Sequence, residues 1–408
     1  MTQSTRVLLE LVRAGLWEKE VSLSQYGEID FGEIYRLAKE QSVIGLVAAS
    51  KEKIVDVKVP QTIVLTMAGE VLKMELRNQS MNQFIAKIVS EMRNAGIYAM
   101  LVKGQSVAQH YERPMWRACG DVDFFQSDEN YEKAKEFLVP RASIVEQEGV
   151  YGKHLGMVID GWAVELHGRL RCGFSGRTDK VLDEIQNETF YGGSVSSWNN
   201  DGVQVFKLSK ENEVFYVFAH FLGHFYKGGI GLRQICDWCR LLYTYRESLD
   251  YGLLESRIWK AGLVSEWRAF GAMAIEYLGL PIEAMPLINL NDNLNVNEDV
   301  TLKSLITQKN NLCSSLSQKA QRAQKNDLDV NLKRKAEWII KFILEVGNFG
   351  HNRDMSFYRE GSYLGQKVKS FGRRMGDLWN HLRIFPLDTL RFFPRIMWNG
   401  VVSALRGE

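Results

Sequence analysis

RACGDVDFF, residues 117–125, places two aspartates one residue apart at the head of an apolar run. In an extended chain, residues i and i+2 point to the same side, so Asp121 and Asp123 share one face of a strand and Val122 takes the other. Two carboxylates held this close raise each other's pKa unless a cation stands between them. A divalent ion that prefers hard oxygen ligands, Mg²⁺ above all, relieves the repulsion.

The flanking sequence supplies partners for such a site. IYAMLVKG (97–104) is a short apolar run bounded by glycine, which predicts a buried strand. QSVAQHYER follows as a predicted helix that Pro114 stops. Within this unit, LVKGQS (101–106) reads as a strand ending at Lys103, a tight turn at Gly104 and a helix beginning at Gln105 or Ser106. Exposed N–H groups at a helix start, beside a residue with no side chain, form a phosphate cradle, to which Lys103 adds a point charge. Arg113 and Arg117 lie between cradle and acids, within expected reach of phosphate oxygens. HLGMVID and WAVELHGRL are alternating strands joined by Asp160-Gly161, a strong hairpin signal. They bring a third carboxylate, Glu165, flanked by Val164 and Leu166, with His167 on the same face. Three acids on two strands suit two metal ions, which activate an attacking hydroxyl and stabilise the leaving oxygen of an in-line phosphoryl displacement.

Around this core the chain reads as helical. The expected organisation is an N-terminal helical region (1–95), an α/β core (96–207) and a C-terminal helical region (208–408), an α+β fold with a small mixed sheet. Gly96 is placed to end the last N-terminal helix, and Asp128 to cap the helix after the DVDFF strand. Residues 171–204 read as loop-rich. Beyond Ser209, NEVFYVFAHFLGHFY and LRQICDWCRLLYTY are amphipathic helices separated by the glycine turn KGGIG. His220 and His224 are spaced i, i+4, which without further ligands favours the cleft or the core over a zinc site. Cys236 and Cys239 form a C-x-x-C inside a helix and read as buried thiols. Residues 287–330 are polar and Asn-rich. In the tail from 367 to 408, Lys367, Lys369, Arg373, Arg374, Arg383, Arg391, Arg395 and Arg406 outnumber Asp377, Asp388 and Glu408. That tail reads as amphipathic helices, with contact to a polyanion or a membrane surface as the functional alternative.

Composition narrows the classes. Lys plus Arg is 51 and Asp plus Glu 49, a net charge of +2 that does not demand a nucleic-acid partner. Hydrophobic residues are 45% and charged residues 25%, as in soluble globular proteins. No signal peptide or transmembrane segment is expected, and the five cysteines read as reduced thiols of a cytoplasmic protein.

The order strand, Gly-polar-Ser, helix, Asp-x-Asp strand, then a later acidic strand resembles the nucleotidyltransferase superfamily related to polymerase beta. More narrowly, LVKGQSVAQHY, RACGDVDFF, VELHGRL and GGIGLRQICDW together resemble the bacterial family labelled uncharacterised nucleotidyltransferase. The resemblance runs from about residue 30 to past 350. The superfamily turn is usually Gly-Gly or Gly-Ser; here it is Gly104-Gln105-Ser106, which displaces the hydroxyl by one residue. The resemblance implies transfer of a nucleoside monophosphate from an NTP, such as ATP, to an acceptor, with Mg²⁺ or Mn²⁺. Asp121 and Asp123 would bind the metals, and Glu165 would complete the site and serve as base for the acceptor hydroxyl. Lys103, Gly104, Gln105, Ser106, Arg117, His167 and Arg233 are the expected nucleotide contacts. The acceptor stays open between a protein, a small molecule and an RNA end. So do two further readings: a nucleotide-binding or regulatory protein that kept the fold without turnover, and an accessory enzyme of surface polysaccharide biosynthesis.

Overall fold

The computed structural model describes residues 1–149, 153–286, 330–347 and 363–405. Most of the polar stretch expected at 287–330 lies outside the described residues. Four helices precede the sheet: α1 (Gln3–Trp17), α2 (Phe31–Glu40), α3 (Ile44–Ser50) and the long α4 (Gln61–Asn94). Gly96 ends α4 as expected, with φ at +73° and its N–H bonded to Arg93 O.

Seven strands form one mixed sheet. They are β1 (Met100–Val102), β2 (Asp121–Phe125), β3 (Ala142–Val145), β4 (His154–Ile159), β5 (Trp162–His167), β6 (Val195–Asn200) and β7 (Val203–Leu208), in the order β3-β4-β5-β2-β1-β7-β6. The pairs β2–β5 and β1–β7 are parallel, and the others antiparallel. The α+β class expected from the sequence is the observed one.

Strand alternation divides the sheet into two faces. Val122, Phe124, Val164 and Leu166 pack with Phe84, Ile85 and Ile88 of α4 and with Tyr131 and Leu138 of α6 (Asp128–Leu138). The opposite face carries Asp121, Asp123 and Phe125 toward α8 (Lys210–Lys227) and α9 (Leu232–Tyr245). On that side one apolar cluster runs from Val7 in α1 through α8, α9, α10 (Tyr251–Ala261), α11 (Val264–Leu278) and α12 (Val330–Val346) to Ile396. The carboxylates thus sit at the seam between a sheet and a helical layer.

Several local expectations change. The helix after Lys103, α5, is only Gly104–Ala108, and Pro114 opens a 3₁₀ turn instead of ending a helix. Ser127, not Asp128, caps α6, because its hydroxyl accepts the Asn130 N–H at 3.2 Å. The loop-rich stretch contains α7 (Gly176–Phe190), capped by Ser175, and the β6–β7 hairpin, whose turn is Asp201-Gly202. In the tail, α13 (Tyr363–Leu382) and α14 (Pro386–Leu405) bury Phe385 and Phe392 and leave Trp379 and Trp398 exposed. Among the described residues, no helix is long and apolar enough to cross a membrane.

Candidate active site

The register of β2 on β5 sets Asp121 beside Ala163, Asp123 beside Glu165 and Phe125 beside His167. Directly paired residues point to one face, so three acids and an imidazole converge. Carboxylate oxygens of Asp121, Asp123 and Glu165 lie within 4.8 Å of one another. An all-oxygen donor set of this kind fits Mg²⁺ or Mn²⁺.

Hydrogen-bond donors already compensate part of that charge. Lys103 Nζ lies 2.7 Å from Asp123 Oδ1. His167 Nε2 lies 2.8 Å from the same oxygen and 3.3 Å from Glu165 Oε2. His154 Nε2 is 3.1 Å from Glu165 Oε2. Burial raises the pKa of Asp121, and the neighbouring Asp123 charge raises it further. For Glu165 burial acts upward, but hydrogen bonds from His154 and His167 outweigh it and hold the carboxyl well below its usual range. Burial opposes the charge of Lys103 too, yet Asp123 more than compensates and keeps the ammonium protonated. His167 follows the same pattern: burial depresses it, and bonds to Asp123 and Glu165 bring it up.

Backbone strain positions Lys103. Its φ of 58° and ψ of −151° lie where glycine is the ordinary occupant, a conformation that costs on the order of 1–3 kcal/mol. Gly104 follows at φ +44°, and a Cβ there would press on Cys119 Sγ at 3.2 Å. The double reversal turns the chain from β1 into α5 within one residue and aims the lysine at Asp123.

Other expected contacts are engaged elsewhere. Ser106 Oγ donates to Glu213 Oε1 at 2.7 Å in a buried network that also holds Lys207, His110 and Tyr245. The Gln105 amide donates to Asn78 Oδ1 at 2.9 Å, on the α4 side of the turn. Arg117 is buried and grips both oxygens of Asp237 at 2.8 and 2.6 Å. Arg113 pairs with Glu18 and Glu52, away from the acids. Arg233 reaches Asp237 only at 3.5 Å and lines the pocket with Gly104 and Asp121.

The cleft has two connected parts that share Lys103, Asp121 and His220. The smaller, about 70 Å³, holds Gly104, Asp123 and Arg233. The larger, about 380 Å³, runs past Glu165, His154, Tyr216 and His224 to Arg169, Arg171 and Lys227. His220 and His224 face one another at 3.1 Å between ring nitrogens. Burial holds His220 well below its usual range and pushes His224 down to about 4. Sequence reasoning missed His154. The signal was present: the two-residue turn at Asp160-Gly161 places His154 opposite His167 six pairs down the hairpin.

Comparison with known families gives one match. The family model described as "Uncharacterised nucleotidyltransferase" matches residues 27–279, a span that contains the whole sheet, α5 and the helices over the cleft. No curated protein and no solved structure matches the chain.

Proposed function

Because the chain belongs to this uncharacterised nucleotidyltransferase family, we propose that it moves a nucleoside monophosphate from an NTP to an acceptor, with Mg²⁺ or Mn²⁺ as cofactor. The observation that supports the reading is the convergence of Asp121, Asp123 and Glu165 at one point of a cleft. Those three carboxylates would hold the metal, which in such reactions neutralises phosphate charge and stabilises the leaving oxygen.

The side chains around them have distinct tasks. Lys103, held by Asp123 before nucleotide arrives, has the reach and charge to turn to a phosphate oxygen. Arg233 is the arginine with the weakest existing commitment at the cleft and suits the outer phosphates. Arg117 acts at one remove, fixing Asp237 near the middle of α9. Until an ion takes its Nε2, His167 holds Asp123 and Glu165 together. The larger part of the cleft leaves room for the acceptor beside Glu165. The reaction draws on a cytoplasmic NTP pool, and the free thiols Cys119, Cys172, Cys236 and Cys239 fit that compartment.

The test is incubation with each labelled NTP, Mg²⁺ or Mn²⁺ and a cell lysate, followed by identification of the labelled molecule. Asp121→Asn and Asp123→Asn should each lower transfer by about 10³-fold or more while the circular dichroism spectrum shows the fold retained. Near-wild-type turnover in either variant would overturn the assignment. Mg²⁺-dependent NTP binding with no transfer to any acceptor would favour a regulatory protein instead.

A further inference from the structure

Beside the all-oxygen cluster lies a second set of donors with different chemistry. His154 Nε2 and His167 Nε2 flank Glu165 Oε2 at 3.1 and 3.3 Å, and the three atoms lie within 4.8 Å of one another. We propose that His154, Glu165 and His167 form a transition-metal site, selective for ions such as Zn²⁺ or Co²⁺ over Mg²⁺, that shares Glu165 with the carboxylate site. This rests on the reading of Glu165 as a metal ligand given above.

Three observations carry it. Metal–ligand bonds of about 2.1 Å at about 90–109° separate adjacent ligand atoms by about 3.0–3.4 Å, and both contacts to Glu165 fall in that interval. The geometry is set by regular backbone, not by loops. His154 pairs with His167 and Gly156 with Glu165 across β4–β5, so all three side chains leave one face of one hairpin. Finally, a Cβ on Gly156 would collide with the carboxylate of Glu146. The missing side chain therefore lets a further carboxylate lie on the same face, across the hairpin from Glu165. Two imidazoles and a carboxylate are a donor set that borderline metals favour and Mg²⁺ does not. The site opens into the larger part of the cleft, so an ion there adjoins the space where an acceptor would stand. The bridging carboxylate would make the two ions unlike: one hard, on Asp121 and Asp123, and one borderline, on His154 and His167.

Co²⁺ is the probe, because ligation by imidazole nitrogen in a four- or five-coordinate site shifts its weak visible absorption and intensifies it into a distinct band. The full chain is titrated with Co²⁺ in saturating Mg²⁺, and NTP binding is followed separately with a fluorescent ATP analogue. The wild type should show the band, and Zn²⁺ should remove it. His154→Gln should weaken Co²⁺ binding by about tenfold or more and lower Mg²⁺-dependent NTP binding by a much smaller factor. Asp121→Asn should do the reverse. His154→Cys should add a thiolate-to-cobalt charge-transfer band in the near ultraviolet, which reports both folding and direct ligation. Absence of a visible band in the wild type, a band unchanged in His154→Gln, or no thiolate band in His154→Cys overturns the site. If NTP binding persists while cobalt binding fails, this inference falls alone. If cobalt binds as described and no NTP binds with any divalent ion, the nucleotidyl-transfer reading falls alone.

Discussion

Lys103 stands at the point where the competing demands on the site meet. It occupies a glycine-like backbone conformation and spends its charge on Asp123. On the proposed function, its ammonium would compete with any cation that Asp123 ligates before nucleotide binds, and would be free to serve a phosphate afterwards. Lys103→Met should therefore separate two steps. Without nucleotide, Mn²⁺ should bind about tenfold more tightly, since a unit charge a few ångströms from the ligand oxygen has been removed. With nucleotide, transfer should fall by about 10²-fold. Calorimetry of Mn²⁺ binding and a labelled-NTP assay measure the two effects; weaker Mn²⁺ binding in the variant would show that the lysine supports the metal site instead of competing for it. The sequence located Asp121, Asp123 and Glu165 because each lies in a short apolar run whose parity assigns its face, and Lys103 because it ends such a run before the Gly104 turn. It did not reveal that Arg117 is committed to Asp237, a partner 120 residues away, because local pattern carries no information about a pairing of that separation.

At the scale of elements, the short helix α5 depends on side-chain anchoring. Five residues cannot sustain an isolated helix, so its position relies on Ser106 and Gln105, both buried. Ser106 donates to Glu213 of α8, which also takes Tyr245 of α9 at 2.9 Å and Lys207 of β7 at 3.2 Å. The Gly-Gln-Ser order thus has a physical explanation: the hydroxyl is a strut between α5 and the helical layer. Ser106→Ala should lower stability by about 1–3 kcal/mol, the cost of leaving a buried carboxylate oxygen short of a donor, with NTP affinity within about twofold of wild type once folded. Denaturant titration and nucleotide binding check the pair; lost affinity with intact stability would return the hydroxyl to the phosphate. The β4–β5 hairpin was legible from its turn, and its register fixes His154. The helix α7 was less so, because Val181, Leu182 and Ile185 are its main apolar contacts amid charged residues.

For the whole molecule, the helical layer that closes the cleft is also where an acid is buried deepest. Glu266 of α11 is fully buried, accepts the Tyr226 hydroxyl at 2.8 Å and has one oxygen without a hydrogen-bond partner. Burial, reinforced by Asp388 and opposed by Tyr226 and Lys335, pushes its pKa up to about 8. An unfolded glutamate titrates near 4.3, so between those values the folded chain holds a proton that the unfolded chain has released. The stabilisation is complete below the lower value and is lost as pH rises through about 8. Melting temperature should fall between about pH 5 and 8, and Glu266→Gln should flatten that slope; an equal slope in the variant would move the cause elsewhere. The chain by itself determined the α+β class, the strand that bears Asp121 and Asp123, the hairpin that bears Glu165 and the helical texture on either side, because strand parity, glycine turns and helical period are short-range properties. Only the tertiary structure decided which basic groups face the acids, that Ser106 is a strut and that His154 joins Glu165. Those outcomes depend on strands and helices distant in sequence packing at one seam, where ion pairing and burial select among partners that local sequence cannot rank.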